Sequence, residues 1–266
     1  MYSVDMVPSG QPAPAFVRMA AHPLRWRLLT VLSTGDYRVR ELVELLGQPQ
    51  NLISYHLRLL RGSGLVTSHR SSFDARDSYY HLDLERCAEA LTAAGIALHP
   101  ALRLDPAPPP AAVTRSPRPR VLFACTGNSA RSPVAEALLR HRTRGHVEVT
   151  SAGSHPRPAM HPNAVLVLRE HYGIDIGDQR PRHLDTVARH RFDHLISLCD
   201  KVREVRHEFS DHSRLIHWSI PDPAAASDTA GYPAFKHMAE EIDTRIRYLL
   251  PVLAENQETK DKETQP

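Results

Sequence analysis

A proline-rich segment in the middle of the chain divides it into two folding units. The stretch from residue 99 to residue 120, HPALRLDPAPPPAAVTRSPRPR, contains seven prolines and shows neither helical nor strand periodicity. Proline at this density favours extended polyproline geometry, at about 3 Å per residue, so the segment is expected to separate two domains. The 266 residues are enough for two domains, each with its own core. We predict a flexible N-terminus (1–15), a first domain (16–98), a linker (99–118), a second domain (119–254) and a disordered tail (255–266).

Composition sets the broad class of the protein. The formal net charge of +3 permits contact with nucleic acid without requiring it. The apolar stretches are far shorter than the roughly 20 residues of a membrane span, and the first residues lack a signal-peptide pattern. Three cysteines are too few for a disulfide framework in a chain of this size, and the 17 histidines are scattered without zinc-ligand spacing. We therefore expect a cytoplasmic protein with reduced thiols, no membrane contact and no metal site.

The second half contains the strongest motif, CTGNSARSP, which runs from Cys125 to Pro133 directly after an apolar strand-like run. A strand ending at Cys125 and a helix beginning near Arg131 leave a short loop whose backbone N–H groups can converge on one oxyanion. The helix N-terminus favours a thiolate, Arg131 fits two anion oxygens, and the Ser132 hydroxyl can donate to the sulfur. The simpler alternative is a buried cysteine and an ordinary helix-start arginine. The candidate oxyanion-binding loop consists of Cys125, Thr126, Gly127, Asn128, Ser129, Ala130 and Arg131.

Strand-like and helix-like segments alternate throughout this half. The four apolar runs are RVLFAC, VEVTSA, HLISL and RLIHW, separated or followed by segments with three- and four-residue apolar spacing. Such alternation predicts an α/β domain with a four-stranded parallel sheet flanked by helices. Ligands of these sheets bind at the carboxyl ends of the strands. Cys125 lies at the end of the first strand.

From about Arg118 to Leu253 the sequence resembles the low-molecular-weight protein tyrosine phosphatase superfamily, which includes related arsenate reductases. The resemblance implies that Cys125 is a nucleophile and that Asp222, in HWSIPDPA, is the acid that protonates the leaving group. Without that resemblance Asp222 would be interpreted as a turn residue before proline. Ala224 occupies the position where tyrosine phosphatases of the family usually have an aromatic residue, and SLCDKVREV is more similar to the arsenate reductases. Since the loop binds either tetrahedral anion, arsenate and a phosphomonoester both stay open as substrates.

The same resemblance places Cys199 where arsenate reductases have a resolving cysteine. A third cysteine follows the second by seven residues in thioredoxin-coupled members, and here that position is Arg206. Two routes stay open: Cys199 attacks the arsenylated Cys125, leaving a disulfide for an external thiol, or a small thiol attacks directly. Cys199 as ordinary core is equally open. We expect no bound cofactor, with an external reductant of mycothiol, glutathione or thioredoxin type.

The first half predicts a mostly-α winged helix-turn-helix domain. A helix from Val39 stops at Gly47, the next begins at Pro49, and two strand-like runs after Gly64 predict a hairpin. The outward side chains of the second helix suit base edges and phosphates, and two arginines on the hairpin can add backbone contacts. A small helical domain with an ordinary polar surface is the alternative. The candidate DNA-binding residues are Gln50, Asn51, Ser54, Tyr55, Arg58, Arg70 and Arg76.

Residues 16–97 resemble the ArsR-type winged-helix repressors through AAHPLRWRLLTVL, ELVELLGQPQNLISYHLRLLRGSGLV and a hairpin ending in SYYHL. The resemblance implies a homodimer on a pseudo-palindromic operator in double-stranded DNA, with helices near Pro14–Ala20 and Leu84–Ala94 at the dimer interface. Many members sense arsenite or metal through paired thiols on the helix before the turn. That helix has no cysteine here, and Cys87 alone cannot supply two or three soft ligands, so we do not expect metal sensing in this domain.

The two halves allow three interpretations of the whole chain. The favoured one is a DNA-binding regulator fused to an active Cys-dependent oxyanion enzyme. In the second, the phosphatase-like domain is a non-catalytic oxyanion sensor, although a carboxylate such as Asp222 is unfavourable beside a bound dianion. In the third, the winged helix is a dimerisation module left on a phosphatase.

Overall fold

The structure is a computed structural model that describes residues 12–102, 118–205, 214–224 and 231–263. The predicted flexible segment before residue 12, most of the predicted linker (103–117) and the last three residues lie outside the described residues. The described residues divide into two compact units. The N-terminal unit comprises those up to Ser68 and from Tyr80 to Leu102, and the C-terminal unit comprises His69–Tyr79 and those from Arg118 onward. The predicted first domain contained the whole hairpin, whereas this division places the hairpin tip in the C-terminal unit.

The first half of the chain has the helices and the small sheet of a winged helix-turn-helix. Its three strands are ordered β1-β3-β2. The helices are α1 (Ala15–Ala20), α2 (Pro23–Leu32), α3 (Val39–Leu46), α4 (Gln50–Gly62) and α5 (Leu84–Leu98), and the strands are β1 (Tyr37–Arg38), β2 (Val66–Arg70) and β3 (Ser78–Leu82).

Local chemistry explains the turn between α3 and α4. The backbone N–H of Arg38 donates to the Glu41 carboxylate over 2.8 Å, which caps the start of α3. Gly47 ends α3 at a φ of 62°, in the left-handed region that glycine tolerates. Ile53 and Leu57 of α4 are fully buried. The predicted helix-turn-helix is therefore confirmed.

The C-terminal unit has a four-stranded parallel sheet with the order β5-β4-β6-β7, as predicted. Its strands are β4 (Arg120–Cys125), β5 (Glu148–Gly153), β6 (His194–Ser197) and β7 (Arg214–His217). Its helices are α6 (Arg131–Arg142), α7 (Pro162–Tyr172), α8 (Asp200–Val205) and α9 (Gly231–Glu263).

Strand β4 lies in the middle of this sheet and is buried on both faces. Val121, Phe123 and Ala124 are fully buried, as expected for a central strand of a parallel sheet. Helix α9 packs on α6 and α7 and contributes the buried Phe235 and Ile242 to the same core. The end of β4 therefore has a rigid support on which a binding loop can be positioned.

Helix α9 differs from the sequence prediction at its C-terminal end. The helix continues to Glu263, whereas a disordered tail was predicted from residue 255. Residues 255–263 read ENQETKDKE, in which glutamate, glutamine and lysine are good helix formers and neither glycine nor proline interrupts the helix. Within the part of the chain that the structure describes, no helix is both long and apolar enough to cross a membrane.

Candidate active site

The sulfur of Cys125 lies in the loop between β4 and α6. Its Sγ is 2.9 Å from the Ser132 hydroxyl and accepts a hydrogen bond of 3.3 Å from the backbone N–H of Asn128. Cys125 is only 2% exposed. A backbone N–H, a hydroxyl and the N-terminus of α6 thus surround the sulfur. The Ser132 hydroxyl thus lies within hydrogen-bond distance of the sulfur, and its catalytic role stays a prediction.

Asn128 holds the loop in shape. Its backbone has a positive φ of 44°, a conformation that asparagine tolerates better than most residues. Its amide Nδ2 donates to Ser132 over 2.9 Å and to Ser151 over 2.8 Å, and its Oδ1 accepts from the backbone N–H of Arg182 over 2.7 Å. Sequence reasoning did not find Ser151 or Arg182.

Gly153, the last residue of β5, packs directly against the loop. A Cβ atom at this position would lie 2.6 Å from the Thr126 carbonyl oxygen and 2.9 Å from the Asn128 nitrogen. Real Cβ contacts are not this short, so only glycine lets β5 approach the loop this closely. Gly153 also pairs with Cys125 across the parallel ladder.

Arg131 connects the loop to the segment that contains Asp222. One guanidinium nitrogen donates to Asp222 Oδ2 over 2.8 Å and the other donates to the Ile220 carbonyl over 3.0 Å. The Arg131 side chain is 6% exposed and that of Asp222 is 41% exposed. The sequence predicted an arginine that holds two anion oxygens. In the structure its fork contacts the Asp222 segment, which places the candidate acid beside the loop.

Cys199 is the second thiol at this site. It is 2% exposed, and its sulfur lies 3.3 Å from the Thr126 hydroxyl, one residue after Cys125. Burial raises the pKa of the Cys199 thiol, and the positive charge of Arg131 opposes that rise. The resting Cys199 is therefore a protonated thiol held against the loop.

An open cavity of about 870 Å³ leads to the Cys125 loop. Besides Arg131, two more cationic side chains line it, Arg157 and Lys201, and they were not found from the sequence. Among the described residues that line the cavity there is no phenylalanine, tyrosine or tryptophan, and Ala224 lies at its edge. The cavity thus presents cationic groups to an anion, and its described aromatic lining consists of the imidazole rings of His155 and His161.

The candidate DNA-binding residues of α4 are on its solvent side. Gln50, Asn51, Ser54 and Tyr55 are exposed, and the Arg58 guanidinium lies 5.8 Å from the Tyr55 ring centre. This is the face predicted for groove contacts.

The two hairpin arginines are engaged within the hairpin. Arg70 donates to the Ala75 carbonyl over 2.7 Å, and Arg76 pairs with Asp74 over 3.0 Å. The Arg76 side chain is 90% exposed, so the ion pair is weak and leaves it accessible to a partner.

For metals, the described residues contain no group of three or more histidine, cysteine or acidic side chains that could hold an ion.

The family models match both halves of the chain. Residues 120–260 match the model of the low molecular weight phosphotyrosine protein phosphatases, including the loop, Asp222 and Cys199. The chain belongs to this phosphatase family. Residues 22–68 match the model of bacterial regulatory proteins of the arsR family, which covers α2, α3 and α4.

Individual relatives match the phosphatase-family half. An arsenate reductase of Brevibacillus brevis is 34% identical over 127 residues, which cover 48% of this chain and 90% of the relative. An arsenate reductase of Halalkalibacterium halodurans is 32% identical over 129 residues, covering 48% of this chain and 91% of the relative. Among solved structures, an arsenate reductase in the phosphate binding state is 27% identical, covers 51% of this chain and 98% of its own, and has a TM-score of 0.45.

Proposed function

We propose that this chain is a DNA-binding regulator fused to an arsenate reductase whose nucleophile is Cys125. The observation that carries the enzymatic half is the combination of two thiols at one loop: Cys125 has donors around its sulfur, and Cys199 contacts the neighbouring Thr126. A phosphatase needs only the first thiol, whereas reduction of an oxyanion needs two electrons, which two thiols supply.

In the first step, arsenate binds in the loop with its oxygens on the backbone N–H groups and on Arg131. The Cys125 sulfur attacks arsenic, an S–As bond forms and one As–O bond breaks. Asp222 leaves its ion pair with Arg131 when the anion binds, takes up a proton from solvent and gives it to the departing oxygen, which leaves as water. The 2.8 Å contact supports this role because it places the carboxyl group next to the guanidinium that binds the anion.

In the second step, the Cys199 sulfur attacks the Cys125 sulfur after losing its proton. An S–S bond forms, the S–As bond breaks, and its electron pair stays on arsenic, which leaves as arsenite. The two thiols are oxidised to a disulfide while arsenic gains two electrons. An external thiol then reduces the disulfide and restores both cysteines. Arg131 assists because its charge counteracts the effect of burial on the Cys199 pKa.

The cavity supports an inorganic oxyanion as the substrate. Ala224 lies where tyrosine phosphatases of the family usually have an aromatic residue, and the described lining residues include no phenylalanine, tyrosine or tryptophan. The relatives that are 32% to 34% identical are arsenate reductases. Hydrolysis of a phosphomonoester is the second candidate, since the loop and Asp222 would also serve that reaction.

Three cysteine variants test the enzymatic proposal. In Cys125→Ser we expect loss of both thiol-dependent arsenite formation and p-nitrophenyl phosphate hydrolysis. In Cys199→Ser hydrolysis persists while arsenite formation falls to background. The matched control is Cys87→Ser, in the N-terminal unit, which retains both activities. Activity without the Cys125 sulfur would refute the proposal, and arsenite formation that survives in Cys199→Ser would show direct attack by the external thiol instead.

For the N-terminal half, we propose binding as a homodimer to a pseudo-palindromic operator, with α4 in the major groove. The support is the arsR-family match together with the exposed polar face of α4. Gel shifts on DNA from the region of its own promoter, with arsenate or phosphate added, test this together with the link between the halves. Binding that does not depend on sequence would instead favour a dimerisation role for the winged helix.

A further inference from the structure

The C-terminal unit has a buried carboxylate that the reaction described above does not use. Asp200 is the first residue of α8, directly after Cys199, and is only 3% exposed. A buried carboxylate is costly unless hydrogen-bond donors surround it, so its partners show what it holds in place. Its Oδ1 accepts from the Ser219 hydroxyl and lies 3.2 Å from His217 Nε2.

The other oxygen of Asp200 is held by the tip of the hairpin. Its Oδ2 accepts from the Ser72 backbone N–H over 2.6 Å and from the Ser72 hydroxyl over 2.9 Å. Burial alone would raise the pKa of Asp200, but these donors, with His217 and Ser219, lower it below the ordinary value. The charge of Asp200 is therefore stabilised jointly by the hairpin and by the end of the sheet.

A second group of contacts fixes the same hairpin tip. The Ser71 hydroxyl donates to Glu204 of α8 over 2.9 Å, and the Tyr79 hydroxyl donates to the same carboxylate oxygen over 3.0 Å. The Tyr79 ring is fully buried and lies edge-on to His217, with 4.6 Å between the ring centres. The hairpin tip is thus packed and hydrogen-bonded as a part of the C-terminal unit.

Ser219 connects this cluster to the candidate acid. It is 1% exposed and immediately precedes Ile220, whose carbonyl accepts from Arg131 over 3.0 Å. Asp222 follows two residues later. The position of the acid segment therefore depends on Arg131 on one side and on Ser219 on the other. Ser219 is held by Asp200 and by His69, whose Nε2 lies 2.5 Å from the Ser219 hydroxyl oxygen.

We infer that Ser72 and Asp200 are positioning residues for Asp222, so that the hairpin tip completes the catalytic half of the molecule. Asp200 holds Ser219, Ser219 fixes the start of the acid segment, and Ser72 supplies the donors that keep the Asp200 carboxylate in place. This inference rests on the proposed role of Asp222 as the acid. It gives the hairpin a task in catalysis besides any contact with DNA.

Leaving-group dependence tests the inference, because a displaced acid slows poor leaving groups more than good ones. General acid catalysis contributes about 10² to 10⁴-fold, so partial displacement is expected to lower kcat on phenyl phosphate by about tenfold in Ser72→Ala and more in Asp200→Asn. We expect the KM values and the rate on p-nitrophenyl phosphate to change much less. The matched control is Phe73→Ala, the exposed neighbour in the same turn, which behaves as the wild type. An equal loss on both substrates would overturn the inference.

Amide hydrogen exchange tests the inference by a measurement that does not depend on enzymatic activity. In Ser72→Ala and Asp200→Asn, amides of residues 217–224 are expected to exchange faster than in the wild type and in Phe73→Ala. Coupling is reciprocal, so orthovanadate, which occupies the loop, should slow exchange both there and in residues 70–77. Unchanged exchange of residues 217–224 in both variants, or vanadate protection that does not reach residues 70–77, would overturn it. If the wild type itself shows no Cys125-dependent hydrolysis, the proposed function is refuted instead.

Discussion

Arg131 and Asp222 form an ion pair of 2.8 Å in which the arginine is nearly buried and the aspartate is partly open to the cavity. The pair joins the residue that would bind the anion to the residue that would protonate the leaving group. In Asp222→Asn the shape and the contact with Arg131 are kept, but the proton is lost. We expect kcat on phenyl phosphate to fall by about 10² to 10⁴-fold, with KM changed little. Steady-state kinetics on phenyl and p-nitrophenyl phosphate measure this.

A second aspartate–arginine pair of the same unit gives the control. Asp243 of α9 pairs over 2.5 Å with Arg142, at the end of α6 opposite to the loop. Asp243→Asn also removes one charge and is expected to leave kcat unchanged. If Asp222→Asn retains full rate on phenyl phosphate, another group protonates the leaving oxygen.

The sequence predicted those parts of the site that depend on neighbours along the chain. Cys125, Ser132 and Arg131 lie within seven residues, and a strand followed by a helix is enough to place them. Periodic apolar spacing likewise predicted the four strands and their order of appearance. Both patterns involve residues that are close together along the chain, and such patterns can be recognised in a single sequence.

Contacts between distant residues were not predictable in this way. Asn128 is held by Ser151, 23 positions later, and by Arg182, 54 positions later. No sequence pattern at either residue predicts these hydrogen bonds. The hairpin tip was assigned to the first domain because it follows α4 in the chain. Its contacts with Asp200 and Glu204 are more than 120 positions away.

Gly153 offers a test of the packing between β5 and the loop. Because a Cβ would lie 2.6 Å from the Thr126 carbonyl, Gly153→Ala must displace the loop backbone. Overpacking of this kind costs about 1–3 kcal/mol of stability, and a displacement near the reacting atoms can reduce the rate by about 10²-fold. We expect a lower Tm and a lower kcat/KM on p-nitrophenyl phosphate. Gly177→Ala is the control, since the added Cβ meets side-chain atoms and no backbone: the Asp175 carboxylate at 3.2 Å and Val165 Cγ1 at 3.7 Å.

His161 predicts a pH dependence of stability. It caps α7 by accepting a hydrogen bond from the Asn163 N–H over 3.2 Å, and its ring stacks on Phe235 at 4.2 Å. Burial lowers the pKa of His161, although Asp222 opposes the shift. The unfolded chain therefore takes up this proton first, near a pH of about 6.5, and the folded state loses stability as the pH falls below that value.

In His161→Asn the cap can be kept while the titrating group is removed. The Tm of the variant is expected to fall less than that of the wild type between pH 7 and pH 5, as thermal melts across this range would show. His237→Asn removes an exposed histidine of α9 and is expected to leave the dependence of Tm on pH unchanged. Parallel curves for His161→Asn and the wild type would mean that His161 does not titrate in this range.

The exposed face of α4 predicts two different effects on DNA binding. Arg58 lies beside the Tyr55 ring and is placed for a contact with a phosphate. Arg58→Ala should therefore weaken DNA binding equally on all sequences. It should also reduce the slope of log affinity against log salt concentration by about one. Gln50 begins α4 and is placed for a base edge. Gln50→Ala is expected to cost about 1–3 kcal/mol on the operator alone, with no change in slope. Gel shifts at several salt concentrations separate the two, and a uniform loss in Gln50→Ala would exclude it from base recognition.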